Sequence, residues 1–213
     1  FKQKTAYEIK ECDWSSVVCS SDLPNYNLYG NSIFISNVTM SPVTGGNANI
    51  FLPMTAATTM SVTCSNGSLF LRQTLDASFN QFTVQTSTTN ATVSILGDLI
   101  GSNNFHKDGP GTLNLDGAKS FTSSFFVNTG FVFVNTNTAL GSTSGITFIE
   151  GQGTLVLPSG TNTFNEPLEV HGRLVCGNLP TDANIWNATV TTSTDGVSSG
   201  GRFELDRKST RLN

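Results

Sequence analysis

Two stretches of this sequence decide the fold: Gly109–Leu115 reads GPGTLNL, and Gly151–Leu157 reads GQGTLVL, 42 residues later. The similarity continues downstream, with slips of single residues. The further matching positions are Phe121 with Phe164, Val127 with Val170, and Gly130 with Gly172. Self-similarity at a fixed period of this size is typical of repeat architectures, in which each unit is one piece of supersecondary structure.

The alternation within each copy predicts how the units pack. Leu113 and Leu115 fall on one side of a strand and Thr112 and Asn114 on the other, because successive side chains point to opposite faces. Strands this short cannot bury their apolar side alone, whereas stacking one turn on the next builds a continuous core. The sequence therefore predicts a parallel β-helix with about 21 residues per coil, roughly nine coils over residues 24–205, and a rod of roughly 40 Å at the usual strand spacing.

Short alternating segments also occur outside the two copies, separated by Gly, Asn, Ser or Pro. Thr is frequent in them, and its β-branch suits a pleated strand. No segment has the 3.6-residue periodicity of a helix. The predicted strands are 32–36, 49–52, 60–64, 68–71, 81–85, 92–96, 111–115, 125–128, 130–134, 145–149, 153–157, 168–170, 173–176 and 188–192. Many short strands indicate an all-β fold, with a β-sandwich or barrel as the alternative to the solenoid.

The two ends of the chain differ from the body. Residues 1–23 and 206–213 resemble the translation of the two strands of one sequencing-adapter oligonucleotide, as in KQKTAYEI (Lys2–Ile9) and DRKSTRLN (Asp206–Asn213). We expect both tails to be non-native, and residues 24–205 to be a fragment of a longer β-helix protein. On this interpretation, missing targeting signals carry no information.

The body, residues 24–205, has five basic and ten acidic residues, a net charge of −5. The basic residues are not clustered, so no nucleic-acid partner is expected, and no apolar run approaches the roughly 18 residues of a membrane span. Cys64 and Cys176 lie 112 positions apart, which indicates neither a disulfide framework nor a metal site. We expect two small buried residues there, and no metal or cofactor.

Residues Lys107–Ser142 resemble the autotransporter passenger-associated β-strand repeat, whose pattern begins approximately K-x-G-x-G-T-L-x-L-x-G and ends near A-L-G. Ser123 departs from the pattern, which has glycine there, and Val132 replaces its usual leucine. Glu150–Asn178 is a weaker copy. The residues on the pattern are Lys107, Gly109, Gly111, Thr112, Leu113, Leu115, Gly117, Phe121, Thr122, Val127, Gly130, Val134 and Ala139–Gly141, and in the second copy Gly151, Gly153, Leu155, Leu157, Phe164, Val170 and Gly172.

The resemblance implies a right-handed parallel β-helix that is exported and displayed at the bacterial outer membrane or outside the cell. It implies a translocator barrel in the same parent chain, and host or glycan surfaces as possible contacts. In that family the repeat is structural and carries no catalytic residue. The implied role is a structural or adhesive stalk segment without enzymatic activity.

The two histidines, His106 and His171, are the first candidates for a catalytic group. His106-Lys107-Asp108 is interpreted as a solvated turn, and His171-Gly172 as a weak similarity to β-helical pectin-degrading hydrolases, which also need clustered aspartates as acid and base. The alternative function is therefore a polysaccharide-binding or polysaccharide-cleaving β-helix, similar to pectin lyases or phage tail spikes. Four phenylalanines, Phe125, Phe126, Phe131 and Phe133, are expected to form a stack inside the solenoid, with an exposed ligand-binding stripe as the alternative.

Overall fold

The computed structural model describes residues 16–19, 25–41, 45–78, 80–176, 183–192 and 202–205. These residues form strands, turns and loops, with no helix among them. The strands are β1 (Ser16–Cys19), β2 (Asn25–Tyr29), β3 (Ile33–Met40), β4 (Asn47–Phe51), β5 (Met54–Cys64), β6 (Ser68–Leu71), β7 (Leu75–Ala77), β8 (Phe82–Thr86), β9 (Thr92–Ile95), β10 (Leu99–Gly101), β11 (Phe105–Asp108), β12 (Thr112–Leu115), β13 (Phe125–Val134), β14 (Thr147–Val156), β15 (Thr161–Phe164), β16 (Leu168–Val170), β17 (Arg173–Cys176), β18 (Ala183–Trp186), β19 (Val190–Thr192) and β20 (Arg202–Leu205).

Every pairing between these strands is parallel, and the strands stack into three faces of a coil. Face A contains β1, β3, β5, β8, β11, β13, β14, β16 and β19 in stacking order. Face B contains β2, β4, β6, β9, β12, β13, β14, β17 and β20. Face C contains the first parts of β3 and β5 with β7 and β10, and further along the chain β15 with β18.

The parallel register confirms the solenoid and excludes a sandwich or barrel for the described residues. Between β1 and β19, stacked partners lie 19 to 24 residues apart, for example Leu113 beside Val132 and Leu69 beside Val93. Leu113 and Leu155 occupy one column two turns apart, each paired with Val132 between them. The described residues form a solenoid of about seven turns rather than the roughly nine expected, because that expectation counted all of residues 24–205, including 177–182 and 193–201, which lie outside the described residues. The right-handed sense of the coil stays a prediction.

The core is the inside of the coil, where one residue from each turn builds a continuous column. On face A, Val62, Val84, Lys107, Val127 and Ile149 follow one another in register, and all are buried. A neighbouring column carries aromatic rings: Phe105 stacks on Phe125 with ring centroids 4.4 Å apart, and contacts Phe82 in a tilted arrangement at 5.0 Å. Alternate residues of each strand therefore meet an apolar interior, as the sequence pattern predicts.

Most of the two tails lies outside the described residues. Within the first tail, Ser16–Cys19 forms β1, which pairs in parallel with Asn37–Met40 of β3. Such pairing extends face A by one strand. It does not bear on the origin of the tails, which stays a prediction.

Candidate functional site

The first copy of the repeat builds a tight corner between faces A and B, at residues 107–111. Gly109 has a φ of +81° and Gly130, one turn further, a φ of +75°. A Cβ on Gly130 would lie 2.4 Å from the carbonyl oxygen of Gly109 and 2.5 Å from that of Gly111. Only glycine adopts this φ readily and also allows the backbones of adjacent turns to come so close.

Lys107 lies under this corner with no exposed surface. Its aliphatic stem occupies the valine column of face A, and its Nζ reaches the corner backbone. Nζ donates to the carbonyl oxygens of Asp108 at 2.9 Å, Gly109 at 2.7 Å and Thr129 at 3.2 Å, and to Thr86 Oγ1 at 3.1 Å. The ammonium thus supplies hydrogen-bond donors to backbone carbonyl groups of two successive turns.

Thr86 completes the hydrogen-bonded network of the corner. Its Oγ1 donates to the carbonyl oxygen of Asp108 at 3.2 Å and accepts from the backbone N–H of Gly111 at 2.9 Å. Consecutive turns of the coil are therefore joined by side-chain bonds as well as by the backbone ladder. Burial lowers the pKa of Lys107 to about 8, with the nearby Asp108 carboxylate acting in the opposite direction.

The interpretation of residues 106–108 as a solvated turn was wrong. They lie in β11, where His106 and Asp108 point outward and Lys107 points into the core. A lysine was read as a surface residue because charged groups are seldom buried without partners. The signal that would have found it is the one-turn register, which places Lys107 between Val84 and Val127.

A second lysine is buried at the next corner of the same turn. Nζ of Lys119 donates to the carbonyl oxygen of Asp116, and reaches those of Ala118 at 3.4 Å and Gly117 at 3.5 Å. Burial lowers the pKa of Lys119 to about 8, opposed by the carboxylates of Asp98 and Asp116. Both buried cations of the described chain thus hold backbone carbonyls at corners.

Most of the other repeat-motif residues lie either at a close approach of two backbones or in the apolar core. The glycines Gly109, Gly111, Gly130, Gly153 and Gly172 lie where one backbone passes closely over another, while Gly117 has a positive φ and Gly151 has open space around it. The apolar positions are buried in the columns of the core: Leu113, Leu115, Phe121, Val127, Leu155, Leu157, Phe164 and Val170.

One titratable cluster lies on the outside, where the second copy turns from face A to face B. His171 Nε2 is 2.6 Å from Glu169 Oε1, and its Nδ1 is 3.9 Å from Glu150 Oε2 on the preceding turn. The imidazole thus hydrogen-bonds to Glu169 and also lies near Glu150 of the preceding turn. In glycoside hydrolysis the acid and the base flank the scissile bond, whereas here an imidazole lies against both carboxylates.

The described residues hold no group of three or more His, Cys, Asp or Glu side chains placed to bind a metal ion. Cys64 is buried and Cys176 half-buried, and both are free thiols. Burial raises the pKa of both thiols, against the backbone hydrogen bonds at Cys64. Burial therefore disfavours the thiolate form of both residues.

The expected internal phenylalanine stack is confirmed only for Phe125. Phe126 lies outside, stacked between His106 at 4.8 Å and Phe148 at 4.7 Å. Phe131 and Phe133 are also outside, on face B, with 40% and 38% of their surfaces exposed. In the outer stack of face A, His106 covers one face of Phe126 and Phe148 covers the other.

The comparison with protein families finds the Passenger-associated-transport-repeat, matched at residues 105–132 and 150–172. The two matched segments include the Lys107 corner and the Gly172 corner, and they are similar to the repeat of autotransporter passenger domains. Neither a curated protein nor a solved structure matches the chain. In the described part of the chain, none of the structure is a helix long and apolar enough to span a membrane.

Replacing Gly130 with alanine tests the corner. We expect the free energy of unfolding to fall by about 2–4 kcal/mol, because the methyl group meets two carbonyl oxygens and φ is positive. Gly151→Ala is the matched control, since nothing lies within 4 Å of its Cβ position, and should change stability by less than about 0.5 kcal/mol. Urea unfolding followed by circular dichroism measures both, and equal losses would contradict the corner geometry.

The buried ammonium predicts a particular pH dependence. The folded-state pKa of Lys107 is lowered to about 8 from 10.5, so between these values the unfolded chain binds more protons and stability rises with pH. The free energy of unfolding of the wild type should therefore increase relative to Lys107→Met between pH 7.5 and 10. The difference between the wild type and Gly151→Ala should stay constant over that range. If the free energy of unfolding of the wild type relative to Lys107→Met stays constant or falls as the pH rises, the amine is not buried.

Proposed function

We propose that this chain is a structural stalk segment of an autotransporter-type passenger, displayed at the bacterial surface or released from it. The passenger relation is implied by the matched repeat. The single observation that supports a structural role is that the matched residues are used to close corners and fill the core. Those at the first corner hold backbone groups of neighbouring turns, as Lys107 and Gly130 do.

The stalk function follows from how the solenoid distributes its stability. Each turn contacts only its neighbours, so the length can be extended without changing the local packing. The buried columns and parallel hydrogen bonds leave few backbone groups open to proteases. An adhesive role would lie in outward side chains or in other parts of the parent chain, because a fold by itself does not define a function. The proposed partner within the parent chain is an outer-membrane translocator.

Surface display tests this proposal. The chain is placed between a signal peptide and an autotransporter translocator, and intact cells are treated with proteinase K. We expect a protease-resistant fragment for the wild type and for Gly151→Ala, and degradation of Gly130→Ala because its corner cannot close. Degradation of the displayed wild type as fast as that of Gly130→Ala would contradict a stalk function.

A polysaccharide-cleaving β-helix is the second candidate, favoured by the Glu150–His171–Glu169 cluster on adjacent turns. Two carboxylates and an imidazole are groups that act as general acid and base. We expect no release of reducing ends or unsaturated products from pectin, alginate or capsular polysaccharide, since the imidazole lies against both carboxylates. Cleavage that is abolished by Glu169→Gln but retained by Glu204→Gln would establish the enzyme and overturn the stalk proposal.

A further inference from the structure

The outer surface of face B carries a cation held in a fixed position at the level of β4 and β6. The guanidinium carbon of Arg72 lies 5.2 Å from the ring centroid of Phe51 and 5.3 Å from that of Phe70. Arg72 Nε donates to Asn49 Oδ1 at 2.8 Å. Two aromatic contacts and one hydrogen bond through Nε thus orient an exposed side chain, and its two terminal nitrogens remain as further donors.

Within the described residues, no carboxylate oxygen lies within 4 Å of a guanidinium nitrogen of Arg72. Both ion pairs found among the described residues involve His171, and none involves Arg72. Acidic residues outnumber basic ones over the full chain, 15 to 11, and two of the basic side chains, Lys107 and Lys119, are buried. An oriented arginine without an acidic neighbour is a ready site for an anionic group, which guanidinium binds in a bidentate manner.

The neighbouring amides have their orientation fixed by Arg72. Arginine has no hydrogen-bond acceptor, so Asn49 must present its oxygen to Arg72. The Asn49 Nδ2 group then donates to Asn27 Oδ1 at 2.9 Å. Asn27 in turn must present its own NH₂ group away from Asn49, toward solvent. The chain of bonds therefore ends in donors at both ends: the terminal nitrogens of Arg72 and the amide of Asn27.

Aromatic rings lie beside these donors. Tyr29 stacks on Phe51 with ring centroids 4.6 Å apart and planes within 9°, and 56% of its surface is exposed. Among the described residues, Tyr29 lies at the end of its stack. The Arg72 patch, defined as Asn27, Tyr29, Asn49, Phe51, Phe70 and Arg72, therefore combines donors, a cation and apolar ring surface.

We propose that the Arg72 patch binds an oligosaccharide that carries carboxylates, of the uronic-acid type. The donors and the uncompensated cation select an acceptor-rich anion, and the aromatic surface suits the apolar face of a sugar ring better than an acidic peptide. A saccharide chain along the coil axis meets a new row of side chains at about every 4.8 Å. The proposal rests on the proposed surface function only for the place where the chain meets its ligand. The stalk function and the binding of the oligosaccharide can therefore fail independently.

The experiment is calorimetric titration of the full 213-residue chain with hexagalacturonic acid, its neutral methyl ester and a hexaglutamate peptide. We expect saturable binding of the acid only, weakened by salt. Arg72→Gln should lower the affinity about tenfold or more, because a charge-assisted bond is lost. Arg72→Lys should recover only part of it, since a lysine offers a point charge and no fork.

Arg173→Gln is the matched control, because it removes the same charge from the same face several turns away, and its affinity should equal that of the wild type. Circular dichroism and the urea midpoint should show that all variants fold. Equal binding of the methyl ester, equal binding of the peptide, an equal loss in Arg173→Gln, or no saturable binding of the acid would each overturn the proposal. Protease resistance of the displayed chain is independent of all four results.

Discussion

The close approach of successive backbones at the corner between faces A and B is the constraint on which the rest of this structure depends. At Gly130 and Gly172 a Cβ would lie within 2.4 Å and 2.1 Å, respectively, of a carbonyl oxygen on the turn before. Removing the side chain lets both adjacent faces keep the spacing of a parallel ladder. Because the corners hold the turns in register, residues such as Val127 and Ile149 stack on one another inside the coil.

That close approach brings backbone carbonyl groups together at the corner. In the first copy of the repeat, a buried lysine donates hydrogen bonds to them. At the corner, Lys107 donates to the carbonyl groups of Asp108, Gly109 and Thr129. Burying an ammonium is costly, as its lowered pKa shows, but leaving several carbonyls without donors would also be costly. In the second copy Ile149 occupies the same column, and there the backbone N–H groups of His171 and Gly172 both bond to the Ile149 carbonyl oxygen at 2.8 Å.

Alternation and repetition were enough to predict the all-β solenoid, because both follow directly from strand geometry and stacking. The strands Ser68–Leu71 and Leu168–Val170 were predicted with their observed bounds. Face C was largely missed: β7 and β10 are three residues long and carry too few apolar side chains to show a period. The long strands β13 and β14 were each predicted as two, since a glycine reads as a break although the chain continues around the corner.

The outer surface was less predictable than the core. Hydropathy assigns Lys107 to the surface and Phe131 to the core, whereas the lysine is buried and the phenylalanine is exposed. Hydropathy describes average burial, whereas the position of a side chain in a solenoid is set by the parity of its strand and by the register between turns. The Arg72 patch depends on contacts between β2, β4 and β6, whose residues are more than twenty positions apart, so no local pattern indicates it.

Hydrogen exchange of the backbone amides, resolved by mass spectrometry, tests the central claim most directly. If successive turns are held by the same corners, the amides of β4 to β16, with residues 107–111 included, exchange slowly and become exposed together as denaturant is added. Protection confined to separate short segments, or exchange at residues 107–111 as fast as in exposed loops, would contradict a continuous solenoid closed at its corners.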